Sequence, residues 1–98
     1  MTTMINLEQA KRMVGTGWHP LIEELFARKG EGDVDYVKQK YGTLRIEGNV
    51  DADLQIELLD RSEKICEECG ETGTPISTKT GWIYTLCGKC FDKLGYGI

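Results

Sequence analysis

Cys66-Glu67-Glu68-Cys69-Gly70 and Cys87-Gly88-Lys89-Cys90 are the stretches on which the reading of this chain turns. Two thiolates separated by two residues reach one metal from a single tight turn. A second such pair completes four-sulfur coordination and leaves no position for water or substrate. The spacing therefore predicts one structural zinc ion held by Cys66, Cys69, Cys87 and Cys90, with iron the lesser fit to an all-thiolate site. Gly70, directly after the second cysteine, lets the backbone turn so that amide groups face the sulfurs, as in a zinc knuckle.

Two other chemistries use cysteine pairs, and neither suits this chain. Disulfides belong to oxidising compartments, whereas Met1-Thr2-Thr3-Met4-Ile5-Asn6 has neither the basic segment nor the apolar run of a signal peptide. The expectation is a cytoplasmic protein. A redox dithiol at Cys87-Gly88-Lys89-Cys90 belongs at a strand-to-helix junction of a larger βαβ domain, and would leave Cys66 and Cys69 unexplained.

Working outward, Gly81-Trp82-Ile83-Tyr84-Thr85-Leu86 reads as a strand running into Cys87, and Gly73-Thr74-Pro75 as a loop. Cys90 to Leu94 reads as a helical turn ended by Gly95, placing the second cysteine pair at a helix start. Knuckle, hairpin and helix-borne pair make a treble-clef arrangement; without the final helix the module is a zinc ribbon.

Upstream of Cys66 the pattern is α+β: two N-terminal helices, a β-hairpin, and a helix that leads into the cysteine module. Asn6 with Gln9 forms a capping box ahead of Leu7, Ala10, Met13 and Val14, and Gly15-Thr16-Gly17 ends that run. Pro20 opens a second helix as its first residue, with Leu21, Ile22, Leu25 and Phe26 on one face, Trp18 packed against it and Gly30 at its end. From Val34 to Tyr41 the period changes to two, with Val37, Gln39 and Tyr41 alternating against Tyr36, Lys38 and Lys40. Gly42 turns the chain into Thr43–Glu47. A helix over residues 52–64 follows, capped by Asp51, with Leu54, Leu58 and Ile65 facing the core. The organisation read here is an α/β unit over residues 1–65 and a zinc-binding module over 66–98.

At 98 residues the chain buries only about two thirds of its unfolded surface, so a metal staple makes physical sense. Its formal charge of −4 moves to about −6 when four thiolates hold one dication. Such a charge opposes nucleic acid and anionic membranes unless basic residues cluster. The sole histidine, His19, beside Pro20, reads as a capping or surface residue. No phosphate-binding loop or nucleophile motif appears, so the chain is expected not to be an enzyme.

The segments Gly17–Ile22, Val37–Ile46, Cys66–Gly70 and Gly81–Cys87 resemble a set of small proteins of unassigned function found in phages and bacteria. The resemblance runs over nearly the whole chain. It rests on a Trp-x-Pro-Leu helix start, a Lys-Tyr/Phe-Gly-x-Leu-Arg hairpin and a terminal cysteine module. Some members carry a histidine near the position of Cys90, where this chain keeps a competent cysteine. The resemblance implies a phage or prophage origin, in a host cytoplasm, and no particular chemistry.

Two functions follow as expectations. The first is a small zinc-stabilised protein-binding module, an accessory or inhibitor acting on a host protein such as a defence complex. Its acidic run Glu47, Asp51, Asp53, Glu57, Asp60 and Glu63 is either a DNA-like face or an ordinary solvated helix surface. The second is nucleic-acid binding, with Lys38, Lys40 and Arg45 on phosphates and Trp82 and Tyr84 stacking on bases.

Overall fold

The computed structural model describes residues 4–78 and 80–94. In chain order the elements are α1 (Leu7–Arg12), a 3-10 turn (Thr16–Trp18), α2 (His19–Arg28), β1 (Asp33–Lys40), β2 (Thr43–Asn49), α3 (Ala52–Ser62), β3 (Thr74–Ser77), β4 (Ile83–Leu86) and α4 (Gly88–Leu94). The architecture is mixed α+β, with two antiparallel strand pairs, β1–β2 and β3–β4.

Helix α1 starts where side chains satisfy its free amides. Asn6 Oδ1 accepts from Gln9 N, and Gln9 Oε1 accepts from Asn6 N, the reciprocal pair that a capping box requires. Helix α2 begins at His19, so Pro20 lies one residue inside it and not at its first position; either place lacks an intrahelical acceptor for a proline amide. Asp51 precedes α3 without a side-chain capping bond, contrary to its expected role, and only its carbonyl is used, by Gln55 N. Helix α3 ends at Ser62, short of Lys64.

Strands β1 and β2 are joined by Tyr41-Gly42, both at positive φ (55° and 78°), the signature of a type I′ turn. Tyr41 is thus a turn residue and not the last residue of the strand. An irregularity between Val34 and Tyr36 inserts Asp35, so that Val34 and Val37 both face inward although three residues apart. Tyr36, Lys38 and Lys40 face out.

One apolar core joins these elements: Ala10, Trp18, Leu21, Ile22, Leu25, Val34, Val37, Leu44, Ile46, Leu54 and Leu58, with Ile5, Phe26 and Ile65 packed against it. Burying an aliphatic side chain there contributes about 1.5–3 kcal/mol. Ser62 is the polar exception. It is fully buried, donates to Leu59 O and accepts the Leu44 amide, so no hydrogen-bonding capacity is lost.

The cysteine region departs from expectation in three places. Thr74 and Pro75 belong to β3 and not to a loop, because in a two-stranded sheet a proline can direct its missing donor to the open edge. Strand β4 starts at Ile83, which leaves Trp82 just outside it. Helix α4 begins at Gly88, before Cys90. Gly95, expected to end it, lies outside the described residues.

Candidate metal centre

The chain leaves α3 and forms a tight turn at 66–70, closed by Gly70 N to Cys66 O at 2.9 Å, with Gly70 at φ 85°. That turn presents Cys66 and Cys69. Strand β4 delivers Cys87, and the first turn of α4 delivers Cys90, whose neighbour Phe91 N bonds Cys87 O at 3.0 Å.

The four sulfurs all lie within 4.8 Å of one another, and Cys69 Sγ and Cys87 Sγ are 3.6 Å apart. Zinc–sulfur bonds of about 2.3 Å in a tetrahedron place sulfurs about 3.8 Å apart, so the cluster matches a four-coordinate ion. No pair is disulfide-bonded. Cys66 is buried, Cys87 and Cys90 are half-buried and Cys69 is exposed, which sets the cluster at the surface with its inner side against the body.

Local dipoles favour thiolate at one corner and crowding opposes it at others. The Cys90 amide, 3.5 Å from Cys87 Sγ, brings the Cys87 thiol down to about 7. The Glu71 amide acts in the same direction on Cys69, but loss of water and the neighbouring thiols outweigh it and leave that thiol raised. Burial and the three other sulfurs push Cys90 up strongly. Four groups packed this closely give up their protons together only when a cation replaces them. The donor set and geometry fit a metal ion.

The cluster is keyed to the core by backbone contacts from Glu67. Its amide bonds Thr85 O at 2.9 Å, its carbonyl accepts Gly17 N at 2.8 Å, and its carboxylate accepts Thr85 N at 2.9 Å and Gln39 Nε2 at 3.3 Å. Burial raises the Glu67 pKa, and the two donors only partly offset that. Thr85 Oγ1 in turn donates to Gly42 O in the β1–β2 turn, and Gln39 Nε2 donates to Ile83 O. Trp18 Nε1 bonds Ile65 O at 2.9 Å, immediately before Cys66. The sequence assigns no site role to Glu67, Thr85, Gln39 or Gly17.

The remaining candidate residues separate. Lys38, Lys40 and Arg45 share the outer face of β1–β2, with Lys38 directly opposite Arg45. Trp82 lies at the hairpin tip instead, stacked on Tyr41 at 5.8 Å and donating to Gln39 Oε1 at 2.9 Å. Tyr84 is half-buried within β4. His19 Nε2 bonds Lys11 O at 2.7 Å and joins the end of α1 to the start of α2. The acidic run is partly neutralised within the fold, because Glu57 is clasped by Arg28 at 2.6 Å and by Arg61 at 3.4 Å. Among the described residues no helix is long and apolar enough to cross a membrane. Comparison with protein-family models, with curated proteins and with solved structures finds no match to this chain.

Proposed function

We propose that this chain is a small zinc-stabilised protein-binding module, of the phage accessory or inhibitor kind, that acts on a host protein in the cytoplasm and catalyses no reaction. The observation that carries this reading is the closed sulfur cluster. Four cysteines within 4.8 Å satisfy a tetrahedral ion by themselves, so the metal holds the fold and has no open position for a substrate. His19, the one imidazole in the sequence, is engaged at the Lys11 carbonyl and supplies no base beside the cluster.

The order of a knuckle turn at 66–70, the β3–β4 hairpin and α4 starting directly after Cys87 favours a treble clef over a zinc ribbon, since a ribbon takes its second pair from another turn and not from a helix. The formal charge of −4, near −6 with the ion bound, favours a protein partner over nucleic acid.

Two measurements test this. Native mass measurement is expected to find one zinc per chain, and two disulfides in freshly isolated protein would defeat the metal reading. The zinc-loaded chain should show no binding to random duplex DNA at about 150 mM salt. Submicromolar binding with a log–log salt slope of roughly −2 to −3, abolished by replacing Lys38, Lys40 and Arg45 with Ala in a folded variant, would replace the protein-binding function with a nucleic-acid one.

A further inference from the structure

Three features of the β1–β2 hairpin run against the stability of the isolated fold, and all three occur together. The first is Tyr41 at φ 55°. The first central position of a type I′ turn favours Asn, Asp or Gly, and a bulky side chain in the left-handed region is a genuine outlier with a strain cost of about 1–3 kcal/mol. The second is the Lys38–Arg45 register. Like charges directly opposite one another on a strand pair destabilise it, and among the described residues neither these two nor Lys40 enters an ion pair, whereas Lys11, Arg28 and Arg61 all do. The third is apolar exposure. Tyr41 is 53% exposed, Trp82 41% and Tyr36 40%.

These side chains are pre-ordered by one another. Lys38 Nζ stands 5.7 Å over the Tyr36 ring, and Lys40 Nζ 5.7 Å over the Tyr41 ring. Tyr41 stacks on Trp82 at an interplanar angle of 30°, and Gln39 fixes the Trp82 indole N–H. The surface is composite. Tyr41 comes from the body of the fold and Trp82 from the cysteine region, joined where Thr85 Oγ1 meets Gly42 O. Tyr and Trp, the rings presented here, are among the residue types that dominate binding energy at interfaces.

We propose that the outer face and tip of this hairpin, comprising Tyr36, Lys38, Lys40, Tyr41, Arg45 and Trp82, is a docking surface for an acidic segment of a partner protein that carries an apolar or aromatic anchor. The assignment rests on the protein-binding reading above. The extent of the charge decides against a nucleic-acid strand. Arg45 is half-buried with Nε held by Thr43 Oγ1, Glu47 lies opposite Tyr36 and closes the basic strip, and only Lys38 and Lys40 are fully presented. Two free cations match a pair of carboxylates; a tracked phosphate backbone needs more.

The test uses the zinc-loaded full chain as bait against a displayed library of randomised peptides, with an oligothymidylate as the nucleic-acid probe. Selected peptides are expected to be rich in Asp and Glu beside Phe, Tyr, Trp or Leu, and to perturb the amide signals of residues 36–41, 45 and 82. Charge reversal in Lys38→Glu/Lys40→Glu should weaken those peptides by about tenfold or more. Tyr41→Asn, which relieves the turn, should unfold no more easily than the parent chain yet bind at least about tenfold more weakly. A Tyr41 kept only for intramolecular stacking would instead show the opposite pattern, with reduced stability and unchanged binding, and that result overturns the proposal. So do selected peptides that lack acidic residues or bind elsewhere, and a library that yields no binder, although these leave the zinc-stabilised module standing. Tighter binding of the oligothymidylate at the same residues overturns both the surface assignment and the protein-binding function.

Discussion

The Gly17 amide donates a 2.8 Å hydrogen bond to the Glu67 carbonyl, and this bond brings the backbone of the 3-10 turn directly against the cysteine knuckle. A Cβ on Gly17 would fall 1.9 Å from Cys66 O and 2.5 Å from Gly70 N; one on Gly15 would fall 2.1 Å from Glu67 O. Helix α1 has already ended at Arg12, so Gly15-Thr16-Gly17 serves this contact and not the end of the helix. It is the seat on which the first pair of sulfurs rests.

Gly17→Ala should push the knuckle off this seat, because backbone atoms on both sides of the contact cannot rotate away. A loss of about 1–3 kcal/mol is expected from the forced displacement. Thermal unfolding of the zinc-loaded protein, followed together with the rate of zinc loss to a chelator, should show lower stability and faster loss. Unchanged values for both would mean the two backbones separate without cost.

Cys66→Ser, or chelation at neutral pH, should release the metal and unfold the chain from about residue 66 onward, since binding energy at a closed site is also folding energy. Helices α1–α3 and the β1–β2 hairpin keep their own apolar core and are expected to survive. The near-UV signal of Trp82 should collapse, because the Tyr41 stack depends on β4 being held in place. A retained signal after complete metal removal would count against a metal-dependent C-terminal region.

Glu67 has its folded pKa raised, first by burial, so its ionised form is the one disfavoured by folding. The sign follows directly: the fold does best with this group neutral, and stability is lost as pH rises through the folded value. Glu67→Gln keeps an oxygen for the Thr85 amide without a buried charge, and should be at least as stable as the parent at neutral pH. Glu67→Ala removes the acceptor and strands that buried amide, a cost of about 1–3 kcal/mol. Urea midpoints of the two variants check both, and a destabilised Gln variant would indicate that the charge itself is needed.

The ion-pair group on α2 and α3 has the opposite sign. Hydrogen bonds from Arg61 and Arg28 hold Glu24 below its ordinary 4.5, and bonds led by Arg28 do the same for Glu57. Their contribution is present at neutral pH and disappears as pH falls from about 4.5 through the lower folded values. Glu57→Gln should therefore be slightly less stable than the parent at neutral pH, and the difference should close on acidification and at high salt. A difference that persists in acid would point to packing as its source.

Much of the site and fold is local in origin and so legible in the chain. The two Cys-x-x-Cys turns name their own ligands because two residues are the span over which one turn aims two sulfurs. The Asn6–Gln9 box and the alternation at Tyr36, Val37 and Lys38 work for the same reason, since capping and strand facing are decided within a few residues. The fold departs from local rules where a tertiary competitor acts. Pro75 follows loop chemistry locally but pairs with Thr85 because β4 lies beside it, and Tyr41 fits the strand alternation but joins Gly42 in the two-residue turn.

By itself the amino-acid sequence determined which four side chains can share a metal, how the first helix is capped and which hairpin face is apolar. Tertiary structure alone decided that Gly17 meets Glu67, that Thr85 meets Gly42, that Ser62 caps the Leu44 amide, and that Trp82 stacks on Tyr41. The physical reason is range. Periodicity and capping are set by neighbours along the backbone, whereas these contacts join residues far apart in the chain and exist only once the core and the cysteine cluster bring them within hydrogen-bonding or stacking distance.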